Sequence, residues 1–126
     1  MATQINDSYA TDGSGNPITI DVQTGYAQNY VSSVTLNGNP VIVNPPADAN
    51  GNYAGNFRIP LGSNAALSGM LLEVTTEVAI NMAPPASSIL ITLTGGVAAR
   101  AYTLNDPGAG KNPGDTLQYY ASIALT

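Results

Sequence analysis

Between Met70 and Asn81 the chain alternates. Leu72, Val74, Thr76, Val78 and Ile80 hold one parity, and Leu71, Glu73, Thr75, Glu77 and Ala79 hold the other. A period of two sends successive side chains to opposite faces of an extended strand. The pattern therefore predicts a strand with Leu72, Val74, Val78 and Ile80 facing inward and Glu73 and Glu77 in solvent. The same period returns at the C-terminal end, where Leu117, Tyr119, Ala121, Ile123 and Leu125 alternate with Thr116, Gln118, Tyr120, Ser122 and Ala124. Ile18, Ile20 and Val22 repeat it against Thr19 and Asp21.

Turn chemistry separates such segments. V-S-S-V-T-L runs into Asn37-Gly38, then Asn39-Pro40 and V-I-V. Asn-Gly between apolar strand residues is a hairpin signal, because both turn positions require positive φ. Residues 44–52 read as a loop. Y-A-G-N-F-R-I-P-L follows, with Tyr53, Phe57 and Ile59 as anchors. G-S-N-A-A-L-S-G-M has room for a single helical turn. Ser88 to Thr94 is rich in branched residues and ends at Gly95-Gly96, and Arg100 to Leu104 makes a short strand.

About eight strands result, with no helical stripe. That is the pattern of an all-β, single-domain antiparallel β-sandwich, jelly-roll or Greek-key like. An immunoglobulin-type sandwich is the nearest alternative, without its Cys and Trp markers. The 126 residues suit one domain, read as a β-sandwich over 18–126 preceded by an N-terminal arm over 1–17. The arm has no periodicity and ends in the turn cluster T-D-G-S-G-N-P. Ile5 and Tyr9 are its two anchors, expected to bind a neighbouring subunit rather than the chain's own core.

Composition narrows the chemistry. Cysteine and histidine are absent, which removes thiolate chemistry, the Ser-His-Asp triad and the usual zinc ligands. Three basic residues, Arg58, Arg100 and Lys111, with a formal net charge of −5, cannot track a phosphate backbone, so nucleic acid is not an expected partner. No stretch approaches the about 20 apolar residues of a membrane-spanning helix. The first residues show no signal peptide, having neither a basic start nor an apolar run.

Three local patterns invite chemistry and fall short of it. D-P-G-A-G-K-N-P-G-D-T at residues 106–116 has the Gly-Lys pair of a phosphate loop. Asn105 stands where that loop needs glycine, Asn112 where it needs Ser or Thr, and a strand follows instead of a helix. Glu73 and Glu77 lie about 13 Å apart along a strand, beyond the about 5 to 9.5 Å that glycosidase carboxyl pairs require. Asp12, Ser14 and Asn16, and likewise Asp48, Asn50 and Asn52, start a calcium-loop spacing. The closing Glu is missing, since Gln23 and Ile59 occupy its place. Asx-Gly turns are the expected geometry.

The sequence therefore predicts a non-enzymatic structural or interaction protein without cofactor or metal. It would be a subunit of a larger assembly, such as a phage capsid decoration or fibre protein or an extracellular filament, at a virion or extracellular surface. Self-association is the expected partnership. Ile5, Tyr9, Tyr26, Tyr30 and Tyr120 are its candidate interface residues, because Tyr is enriched where surfaces meet. The alternative is a carbohydrate-binding module using tyrosines and Asn/Asp loops.

Overall fold

A computed structural model describes residues 3–43, 48 and 50–126. Within them the chain is all-β, with two sheets and one helical turn. The elements are β1 (Gln4–Tyr9), β2 (Pro17–Thr24), β3 (Asn29–Leu36), β4 (Asn39–Pro40), β5 (Asn52–Ala54), β6 (Phe57–Ser63), α1 (Asn64–Leu67), β7 (Leu71–Ala79), β8 (Ser87–Thr94), β9 (Arg100–Asp106) and β10 (Thr116–Leu125). One sheet runs β1-β10-β7-β3-β4, with β5 also on β3; the other runs β6-β2-β8-β9.

The alternation sets the burial. Leu72, Val74, Val78 and Ile80 are buried, Glu77 is exposed and Glu73 half-buried. Opposite them in antiparallel register, Leu117 and Tyr119 of β10 meet Val78 and Thr76, and Ile123 meets Leu72. Ile20 and Val22 of β2 and Ile89, Ile91 and Leu93 of β8 join the same buried cluster from the other sheet. Thr76 is the polar member of its strand's inward face. Its hydroxyl meets that of Ser32 at 2.7 Å across β3 and β7, so neither is left unpaired.

The Asn37-Gly38 hairpin forms as the sequence indicates. Both residues have positive φ, 49° and 82°, and Leu36 pairs with Asn39. Its second strand is only Asn39–Pro40; Val41, Ile42 and Val43 are outside it. Pro40 has no amide to extend the ladder. Residues 53–61 form two strands rather than one, broken at Gly55-Asn56, where Gly55 takes φ 63°. Tyr53 and Phe57 stack across that break, ring centres 4.7 Å apart. The single helical turn is present, capped by the Ser63 hydroxyl, which accepts from the Ala66 amide at 3.2 Å. Residues 44–47 and 49 of the expected 44–52 loop lie outside the described residues.

The largest departure is at the start. Residues 4–9 are not a free arm. They form β1, which lies along β10 in parallel register from Gln4 opposite Tyr120 to Tyr9 opposite Leu125. The arrangement is thus antiparallel except at this pair. Ile5, Asp7 and Tyr9 share the face of Ala121, Ile123 and Leu125, so β1 lengthens the buried side of its sheet. Among the described residues there are ten strands where the pattern suggests about eight: β1 is added and the 53–61 segment is divided.

Two buried amides hold the loops. Asn64 donates to the carbonyls of Asn16 and Gly95, at 2.9 and 2.8 Å, and accepts from the Asp12 amide at 3.0 Å. Gln28 accepts from the amides of Asn81 and Met82 and donates to the carbonyls of Met82, Pro84 and Ala86. A buried amide satisfied on both ends fixes loops that carry no ladder of their own.

Candidate interaction surface

Both sheets end on one flank. β1 closes one and β9 closes the other, and among the described residues each pairs with a single neighbour. Where these edges approach, apolar packing gives way to charge. Arg100 of β9 donates from Nη2 to Oδ2 of Asp7 on β1 at 3.1 Å. The Ser8 amide first, and the Arg100 guanidinium beside it, hold the Asp7 carboxyl below its ordinary value. The Tyr102 hydroxyl is buried beside them and has no hydrogen bond among the described residues. Loss of water pushes its ionisation upward, with the neighbouring charges secondary. A cleft of about 240 Å³ opens alongside, lined by Ser8, Tyr9, Ala10, Val97, Arg100 and Thr126 among others. Val97, 64% exposed, stands at its rim.

The edges are unequally protected. β6, the other end of β9's sheet, carries Pro60, and its register with β2 shifts at Ile18/Thr19. A missing amide and a bulge both discourage a further strand. β9 has neither. Its register with β8 runs unbroken from Ser87 opposite Asp106 to Leu93 opposite Arg100. Ala101, Thr103 and Asn105 are exposed on one face, while Leu104 is buried on the other.

A second hollow, about 390 Å³, lies over the far end of β8 and β9. Tyr26, Ser88, Thr103, Asn105 and Asp106 line it. Tyr26 is 50% exposed and offers a ring face beside hydroxyl and amide groups.

The five interface candidates separate. Tyr26 is exposed, and Ile5 and Tyr120 are partly buried. Tyr120 donates its hydroxyl to Oε2 of Glu73 on the outward face, and that bond raises its ionisation. Tyr9 and Tyr30 are corrected. They are 1% and 4% exposed, and their hydroxyls accept from the amides of Gly96 and Ser88. Core side chains with satisfied hydroxyls present no ring to a partner. The sequence marks Arg100 only as one of three basic residues, and nothing in it singles out Asp7, Tyr102 or Asp106 as site residues. No local motif marks them: the topology brings Asp7, Arg100 and Tyr102 together, and Asp106 lies at the opposite end of β9.

The glycine-rich 106–116 segment is a run of turns. Lys111 donates to the Thr116 carbonyl at 3.2 Å, and Gly108, Gly110 and Gly114 take positive φ. Asp12 and Asp48 serve as Asx-turn acceptors, Asp12 for the Ser14 amide and Asp48 for those of Asn50 and Asn52. Among the described residues no group of three or more acidic side chains gathers to hold a metal, and no helix is long and apolar enough to cross a membrane. Comparison with protein-family models, with curated proteins and with solved structures finds no match.

Proposed function

We propose that the chain is a non-enzymatic interaction protein, a subunit that works by protein–protein contact within a larger assembly. A capsid decoration, a fibre or an extracellular filament is the kind of assembly it suits. In this reading the two sheets are the layers of a single-domain β-sandwich, jelly-roll or Greek-key like. Inward residues of both feed one cluster, and the outward faces are largely Thr, Ser, Asn and Gln.

The observation that carries the reading is the unguarded edge of β9. An edge strand without proline, lysine or bulge is a template for another strand, and soluble monomers usually block such edges. Strand addition gains main-chain hydrogen bonds without needing strong charge or a deep pocket. That agrees with a surface poor in charge, where only 9% of residues are Asp, Glu, Lys or Arg. Light scattering over a wide concentration range tests it. Self-association is the expected result, and a concentration-independent monomer overturns the self-assembling form of the reading.

The Tyr26 hollow favours a second reading, carbohydrate binding. An exposed ring beside Ser88, Thr103 and Asn105 offers the stacking face and hydrogen-bonding groups that a sugar uses. Reproducible glycan-array binding that disappears in Tyr26→Ala would establish it.

A further inference from the structure

The unpaired side of β9 is nearly its own complement. The strand reads R-A-Y-T-L-N-D from Arg100 to Asp106. In an antiparallel pairing of two copies about Thr103, Arg100 stands opposite Asp106 of the second copy, and Asp106 opposite its Arg100. Ala101 meets Asn105, Tyr102 meets Leu104, and Thr103 meets Thr103. Moving the centre by one residue either way separates the charges, so Thr103 is the centre that matches both ends at once. We propose that a second copy of this chain adds along β9 in this register, joining the two β6-β2-β8-β9 sheets into one across a two-fold axis.

The side chains have capacity for it. Arg100 uses one guanidinium nitrogen for Asp7, and its side chain is 53% exposed. A guanidinium has five N–H donors, so others remain for a carboxylate across the axis. Asp106 commits Oδ1 to the Gly108 amide at 2.7 Å. Its Oδ2 has no hydrogen bond among the described residues. Opposite charges directly across an antiparallel pair stabilise it, and like charges there would oppose it. A two-fold contact also satisfies every position twice with one patch, the usual geometry of homodimers. The exposed row Ala101, Thr103, Asn105 continues the outward face of the joined sheet.

This assignment rests on the self-assembly reading, and the test separates the two. The chain has no cysteine, so a single introduced thiol can bridge only to another copy. At the axis, opposed Cα atoms lie about 4.5–5.5 Å apart, within the about 4.4–6.8 Å that a disulfide spans. Ala101 and its own copy would lie about 14 Å apart. Under mild oxidation, Thr103→Cys is expected to run as a covalent dimer on a non-reducing gel, and Ala101→Cys to stay monomeric. A mixture of Ala101→Cys and Asn105→Cys chains is expected to cross-link to one another. All three positions are exposed, and circular dichroism is the check that each variant retains the fold. Failure of Thr103→Cys to cross-link, or equal cross-linking by Ala101→Cys, overturns the register. If the unsubstituted chain still self-associates by light scattering, the contact lies elsewhere and the assembly reading stands. A monomer at all concentrations ends both.

Discussion

Asp7 of β1 and Arg100 of β9 join the ends of the two sheets, carboxylate to guanidinium, at 3.1 Å. Asp7 is one of three carboxyls held below the ordinary 3.8, with Asp12 and Asp48; backbone amides lead at Asp7 and Asp48, and the Ser14 hydroxyl followed by its amide at Asp12. The sign follows from proton binding. As pH falls toward 3.8, the unfolded chain takes up protons at these positions before the folded chain does. Their contribution is therefore complete above the unfolded value and is lost as pH drops through the lower folded values. The melting temperature should hold from neutrality to about pH 5 and then fall. The triple change Asp7→Asn, Asp12→Asn, Asp48→Asn should flatten that acid limb, and an unchanged limb would assign it to other groups.

Tyr9 anchors β1 in the core. Tyr9→Ala should destabilise by about 3–5 kcal/mol, the range for losing a buried aromatic. Tyr9→Phe removes only the acceptor for the Gly96 amide and should cost about 0.5–1.5 kcal/mol. Urea denaturation measures both. Deleting residues 2–15 should abolish cooperative unfolding, because the inward side of β10 then loses its neighbour. A truncated chain that folds normally would mean that β1 is dispensable.

The register of β7 has a simple check. Val78→Ala truncates a fully buried side chain and should cost about 1–3 kcal/mol. Glu77→Ala changes an exposed one and should stay within about 0.5 kcal/mol. The reverse order would shift the strand by one residue and turn every side chain in it.

Gly95 and Gly110 separate backbone strain from steric collision. Both have positive φ, 98° and 77°. A Cβ at Gly110 meets nothing within 4 Å, whereas at Gly95 it would fall 2.1 Å from the Pro17 carbonyl oxygen. Gly110→Ala should cost about 1–2 kcal/mol, the left-handed penalty alone. Gly95→Ala should cost clearly more, since the β2–β8 junction must also move. Equal thermal shifts would show that the junction yields freely.

The strands legible in the sequence were those whose inward positions are mostly apolar. β7, β8 and β10 declare themselves because apolar residues recur at nearly every second position. β1 has the same period, with Gln4, Asn6 and Ser8 exposed, but Asp7 occupies an inward position. Arg100, which satisfies that carboxylate, lies 93 residues away, and no local pattern announces it. Tyr30 was concealed similarly. Its inward neighbour is Ser32, paired with Thr76, while Val31 between them points outward at 46% exposure. Read locally, Val31 looks like the core residue and Tyr30 the surface one. Asn64 and Gln28 resemble any loop amide until the loops they hold are seen in space.

The parallel pairing of β1 with β10 gives the fold a mechanical character. The chain enters at the Gln4 end of that pair and leaves past the Leu125 end, so tension between the two ends slides the strands along each other. In that geometry the hydrogen bonds between them share the load and must yield together. A hairpin pulled from its open end gives way one bond at a time. Drawn out between its ends in a single-molecule experiment, the domain should resist as a clamp and release in one abrupt step. On the proposed assembly reading, a subunit built this way carries tension through the assembly as well as occupying a place in it.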